Sequence, residues 1–360
     1  MADNSPPGSE RTFIRRVLIL LGILAAVGLL YVLRHIVMLV FGSVVIGVLL
    51  SAMSDPIRRW TGLPRGLSLA LAILILLVLI GGAAASFGSQ VVVQGQQLAQ
   101  MLPDAWDQFR GRLLDLGISL PDIGAGTSPA TTEGPRLPAP GPFGQDLIGR
   151  VVNLLRGVFQ GVANTLLLIV GGIYLAAQPD LYRRGLLTLF PEHLRGLIGD
   201  AYDHSGRALK LWLLGTLISM CVVGLLTWIG LLVIGVPSAL ALALLAFVLE
   251  FVPFIGPVAA ATPAILIAST HGVETAIWTT LLFFAVQQLE GNVVQPLAQR
   301  YAVDLPPAIL LFSLVAVGSL FGVLGIIFAA PLTVVGYVLL KRLYVREALH
   351  TPTRLPDEPR

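Results

Sequence analysis

Apolar residues run through this chain in long blocks rather than in alternation. The blocks lie at 17–33, 36–53, 67–87, 162–178, 211–235, 237–270, 275–291 and 307–340, with polar or basic stretches between them. Several exceed the roughly 18 residues that let a helix cross a hydrocarbon core. The pattern predicts an all-α, polytopic helical membrane protein with about eight transmembrane spans. Strand-type alternation is absent, which argues against an outer-membrane barrel.

Two blocks are too long for one upright crossing. As a single helix, 237–270 would rise about 50 Å against a core of roughly 30 Å. It carries one acid, Glu250, followed by Pro253, Gly256, Pro257 and Pro263. Proline removes a backbone donor and clashes with the preceding turn, so a helix break is expected just after the acid. The block 307–340 holds Gly318, Gly322, Gly325 and Pro331. Each long block is therefore expected as a broken span or as a re-entrant pair of short helices, and the two versions put 296–306 on opposite sides. The blocks also resemble each other: Pro237 precedes Gly256 by nineteen residues, and Pro306 precedes Gly325 by nineteen. Paired, Gly/Pro-interrupted segments of this kind occur at transporter substrate sites.

The chain divides into five parts on this reading. Residues 1–12 are polar and expected to be disordered, as is the tail 346–360. An N-terminal three-span bundle occupies 13–87. An extracytoplasmic insertion, 88–160, carries Leu98, Leu102, Ala105, Trp106, Phe109 and Leu113 at helical spacing, and a second amphipathic helix begins near Leu147. A Pro/Gly/Thr-rich tether, 119–143, joins them. The apolar faces suit either the membrane surface or a neighbouring subunit. The C-terminal transport core is 161–345.

Composition sharpens this picture. Charged residues make up 12% of the chain and mean hydropathy is +0.85, where a soluble domain carries roughly 25% charge. The net charge of +3 comes from scattered arginines beside the spans, not from a nucleic-acid patch. Lys and Arg concentrate at the N-terminus, in 54–66, in 179–210 and after 340, which places both termini in the cytoplasm. No cleavable signal is expected, because the first apolar block is long and ends without a small-residue site. The single Cys221 reads as a buried, inert thiol, and Asp55 before Pro56 as a turn or cap. Histidines show no metal spacing, and no Walker A loop, HExxH or GxSxG elbow is present. The sequence therefore predicts no cofactor, no metal and no enzyme chemistry.

Glu250 is the leading candidate for chemistry. An acid at lipid depth is costly and functional by default, since apolar surroundings disfavour its charged form and make proton exchange accessible near neutral pH. The alternative is a structural acid that caps nearby backbone. Gln287, Gln288, Glu290, Asn292 and Gln295 form a polar end to the block 275–291. Either they line a path for a polar solute or cation, with Glu290 as a second coupling acid, or they sit in the headgroup layer. Gly318, Gly322, Gly325 and Pro331 read as a helix-packing face.

Three segments carry a family resemblance. They are Phe251-Val252-Pro253-Phe254-Ile255-Gly256-Pro257, then Asn292-Val293-Val294-Gln295-Pro296 with Val303-Asp304-Leu305-Pro306-Pro307, and last Gly318-Ser319-Leu320-Phe321-Gly322-Val323-Leu324-Gly325 closed by Ala330-Pro331. The chain resembles the autoinducer-2 exporter (AI-2E) family of PerM-like permeases over about 15–345. The resemblance implies a multi-pass protein of the bacterial inner membrane that exports a small polar signalling molecule. Other members are described as sodium/proton antiporters. Many members have His where this chain has Pro306, and Tyr where it has Phe254. The expected partners are the lipid bilayer, a small polar solute, and protons or sodium, with assembly as a homo-oligomer. A lithium or sodium/proton antiporter and an uncoupled oligomeric pore or scaffold are the competing functions.

Overall fold

The structure, a computed structural model, describes residues 17–18, 21, 28, 32–115, 162–295 and 305–350. The polar N-terminus, the first apolar block, the tether, the second amphipathic helix, 296–304 and the tail lie wholly or largely outside the described residues. Among the described residues every regular element is helical. In order they are α1 (Arg34–Thr61), α2 (Arg65–Asp115), α3 (Val162–Ala177), α4 (Pro179–Thr188), α5 (Glu192–Ile234), α6 (Ala239–Leu249), α7 (Ile255–Thr270), α8 (Val273–Leu289) and α9 (Pro307–Leu339). A π-helical turn, Glu290–Val294, follows α8, and another, Leu340–Ala348, follows α9. Arg34–Thr61, Glu192–Ile234 and Pro307–Ala348 are each long and apolar enough by themselves to cross a membrane.

The last of these does not run straight. Gly322 has φ 67 and ψ −143, a conformation open to glycine and outside any helix. A Cβ placed at Gly318 would stand 2.8 Å from Ile326, and one at Gly325 would collide with the Val317 carbonyl. Eight residues of straight helix separate such groups by about 12 Å, so the chain has folded back on itself. The arms 307–321 and 323–339 form a hairpin. Gly322, expected on the packing face, is instead its exposed turn, with no neighbouring atom against it.

Residues 237–270 do the same. Helix α6 stops at Leu249, α7 begins at Ile255, and a Cβ at Gly256 would run into the Leu249 carbonyl seven residues back. Ala239, Leu242 and Ala246 of α6 share one buried core with Ala260, Ala264, Ile267 and Ala268 of α7. The two nineteen-residue spacings thus end on glycines in the same role, each meeting a carbonyl of the incoming arm.

The hairpins enter from opposite ends of the bundle. The base of the first adjoins the end of α5 at Val236, and its turn reaches Trp212, whose ring lies 6.0 Å from Phe251 edge to face. The base of the second is tied by Arg342 to Asp200 near the start of α5, while Arg34 donates to Leu320 O at its far turn (3.1 Å). Val252 of the first turn packs with Leu314 and Ala329 of the second hairpin.

Helix α2 spans 51 residues, about 75 Å, joining the third apolar block and the start of the insertion into one rod. No proline interrupts 65–102, so nothing stops the helix where the pattern turns amphipathic. Its outer half packs on α6 and α7, with Leu98 against their core. The described part of the apolar face of 88–115, from Leu98 to Trp106, is thus covered by this same chain.

Among the described residues, one end of the bundle carries the ion pairs that join separate helices. Arg183 grips Asp203 through two parallel bonds (2.8 and 2.7 Å), and Lys210 binds Asp55. Asp55 is therefore not a turn residue: α1 runs through Pro56 to Thr61. Helix α4 bends 88° from α3 and buries none of its residues, the geometry of a helix lying along the membrane surface. Cys221 is exposed on the apolar stretch of α5 rather than buried.

The Arg342 guanidinium, through its hydrogen bonds, holds the Asp200 carboxyl below the ordinary carboxylate range, with charge support from His204 and Arg207. A lowered acid contributes stability that is complete above its unfolded value of about 3.9 and is lost as pH falls through the lower folded value. Asp200 is half exposed, so the contribution is about 1 kcal/mol or less. Asp200→Asn should lower thermal stability slightly at pH 7, and the gap to wild type should close below about pH 4.

Candidate functional site

The site forms where the first hairpin turns. Glu250 caps α6, its N–H bonded to Ala246 O at 3.0 Å. Helical hydrogen bonding then fails, so the break begins at the acid itself. Ile255 N–H reaches only to Pro253 O (2.8 Å), closing a γ-turn over Phe254, which has φ 66 and ψ −46. That conformation costs a non-glycine residue about 1–3 kcal/mol and is held where surrounding packing demands it. Pro257 sits in the first turn of α7, where its missing donor has no helical partner to lose. Pro263 lies within α7, and Pro331 is buried in the second arm of α9.

Facing this turn is the end of α8. Gln287 Nε2 donates to Glu250 Oε2 at 3.4 Å. Glu290, 6% exposed, opens the π-helical turn and accepts from Gln295 Nε2 at 3.2 Å. The wider π turn brings Gln295, five residues on, back onto the acid, and such turns cluster at functional sites. The Ser219 side chain of α5, buried at 4% exposure, lies beside the Glu290 carboxyl, and the two carboxyls are near enough for their charges to interact. Two acids, two amides and a hydroxyl from three segments therefore converge.

The structure separates the other polar candidates from this group. Asn292 Nδ2 donates to Gln288 Oε1 and Gln288 O (3.0 and 2.9 Å), and both residues are exposed. They form a pair of their own. Gln287 and Gln288 are adjacent, about 100° apart around a helix, so one turns inward and the other out. Ser219 was not singled out by the sequence, because one serine in an apolar span has no distinguishing pattern. Among the described residues no group of three or more His, Cys, Asp or Glu is placed to hold a metal ion.

This arrangement can exchange a proton, hydrogen-bond a polar solute, or offer oxygens to a small cation. Comparison with known proteins adds the family. The family model described as "AI-2E family transporter" matches residues 18–344. YrrI of Bacillus subtilis, provisionally named a transport protein, is 26% identical over 310 residues, covering 82% of this chain and 84% of its own. A Mycobacterium tuberculosis protein of like name, MT0215, is 28% identical over 323 residues, covering 85% and 83%. PerM of Escherichia coli, provisionally named a permease, is 29% identical over 140 residues, 38% of this chain and 40% of that one. A match over nearly its whole length, on a helical fold with segments that double back, makes the chain a member of the AI-2E transporter family, whose members carry out membrane transport.

Proposed function

We propose that this protein is a secondary transporter that exports a small polar solute from a bacterium, coupled to protons through Glu250 and Glu290. The observation that supports this reading is the meeting of Glu250, at the turn of a doubled-back helix, with Gln287 and the buried Glu290. Irregular backbone at membrane depth persists only inside protein or beside a wet cavity, and paired acids there are an expensive arrangement unless used. Solute and proton would compete for the same carboxyls, and alternating access would move the hairpin elements against the rest.

Purified protein in liposomes, given outward gradients of candidate solutes with autoinducer-2 first among them, tests the proposal. Flux should rise when a proton gradient is imposed. Flux that follows the solute gradient and ignores protons would favour an uncoupled pore. A second reading, sodium or lithium/proton antiport, draws on the two facing carboxyls of the site, whose oxygens suit hard cations. A trapped pH dye answering to added sodium, and losing that answer in Glu290→Gln, would decide for it.

The two hairpins bear on topology as well. Because each returns to the side it entered, neither counts as a crossing, and 296–306 should lie on the cytoplasmic side with both termini. Cysteine introduced at Gln299 or Tyr301 should resist an impermeant thiol reagent in intact cells, with Cys221 replaced. Labelling from outside would reject this topology.

A further inference from the structure

The first four N–H groups of any helix lack internal partners and need a cap. Helix α6 has no cap of its own. Ser238 stands at the N-cap in the left-handed region (φ 57, ψ 30), makes no capping bond, and leaves its buried Oγ without a hydrogen-bond partner among the described residues. Leu242 N–H uses the Ser238 carbonyl (3.0 Å). Leu240 and Ala241 N–H instead both donate to Gln94 Oε1, at 3.2 and 3.3 Å. Two donors fix the orientation of the amide, since its nitrogen could accept from neither.

Gln94 lies on the outer half of α2, far away in sequence. One turn on, Leu98 packs into the shared core of α6 and α7, and Ala105, on the same face, is fully buried. The cap and the apolar stripe therefore hold one surface of this rod to the base of the first hairpin. At the opposite end of α6 is Glu250.

We propose that the outer half of α2 is a brace for the first hairpin, and that Gln94 is a positioning residue whose carbonyl oxygen sets the base of α6. The brace stands on geometry alone. Its bearing on transport rests on the coupling site proposed above. The hairpin cannot slide along α2 without losing its cap, so movement must either carry α2 with it or pivot at this point.

Hydrogen exchange on the full chain in nanodiscs tests this. Gln94→Leu keeps the size and removes the acceptor, and the amides of 239–249 should then exchange about five to ten times faster, as for a lost cap. Gln94→Glu keeps an acceptor and adds a negative charge at a helix N-terminus, so it should restore protection. The pH profile of flux should shift in Gln94→Leu and return in Gln94→Glu. Unchanged exchange in Gln94→Leu, or exchange in Gln94→Glu as fast as in Gln94→Leu, would overturn the brace. If exchange responds as expected while Glu250→Gln transports like wild type, the brace stands and the coupling site falls.

Discussion

Glu250→Gln should leave the protein folded and remove the pH dependence of its transport. The amide keeps the size of the side chain and can still bond Gln287, whose Nε2 now donates to Glu250 Oε2. What it lacks is a proton to give up. With coupling gone, solute flux in liposomes should become flat between about pH 5 and 8, where a free carboxyl in water would already be ionised throughout. A thousandfold loss at every pH, with normal thermal stability, would indicate a binding role without coupling. Glu290→Gln should have a smaller effect on binding and a comparable one on coupling, because Gln295 still holds the side chain in place. The double substitution should be no worse than Glu250→Gln alone, since groups that act as a unit are not additive.

The largest structural effect is expected at Gly256. A methyl group there meets the Leu249 carbonyl, which is backbone and cannot swing aside. Overpacking in a core costs about 1–3 kcal/mol, and more where backbone must move. Gly256→Ala should therefore spread the arms of the hairpin, lower thermal stability and abolish flux together. Gly206→Ala is the control. That glycine lies within α5 and nothing approaches the added methyl, so the change should be neutral or stabilising by up to about 1 kcal/mol. Equal stability of the two variants would mean that the close approach does not hold the hairpin.

The sequence disclosed where helices stop more readily than where the chain goes next. Pro253, Gly256 and Pro257 mark a break, because each acts on its own turn of helix. Whether the chain kinks or reverses depends on groups seven or eight residues apart coming together, and no single residue encodes that. The nineteen-residue spacing shared by Gly256 and Gly325 did carry the information, since both glycines turn out to face a carbonyl of the opposite arm. The amphipathic stretch after Phe87 was legible as a helix with an apolar face. Its partner was not, because the membrane, another subunit and the chain's own hairpin all accept the same pattern. Gln94 was lost among neighbouring glutamines for the same reason. Asp55 misled through Pro56, which a helix tolerates when its other turns are packed. At the polar end of α8 the residue types were visible, but only helix rotation separates Gln287 from Gln288.

Proton coupling here depends on a carboxyl held at membrane depth beside a helix that turns back. Carbodiimide labelling followed by peptide mapping tests this most directly, using a lipid-soluble and a water-soluble reagent on the protein in bilayers. Both reagents attack protonated carboxyls, so they differ only in where they can reach. The lipid-soluble reagent should modify Glu250 increasingly as pH is lowered, the water-soluble one should modify it little, and Glu192, 89% exposed at the start of α5, should show the reverse preference. Modification of Glu250 and Glu192 alike by the water-soluble reagent would place Glu250 in bulk solvent and contradict coupling through a carboxyl at membrane depth.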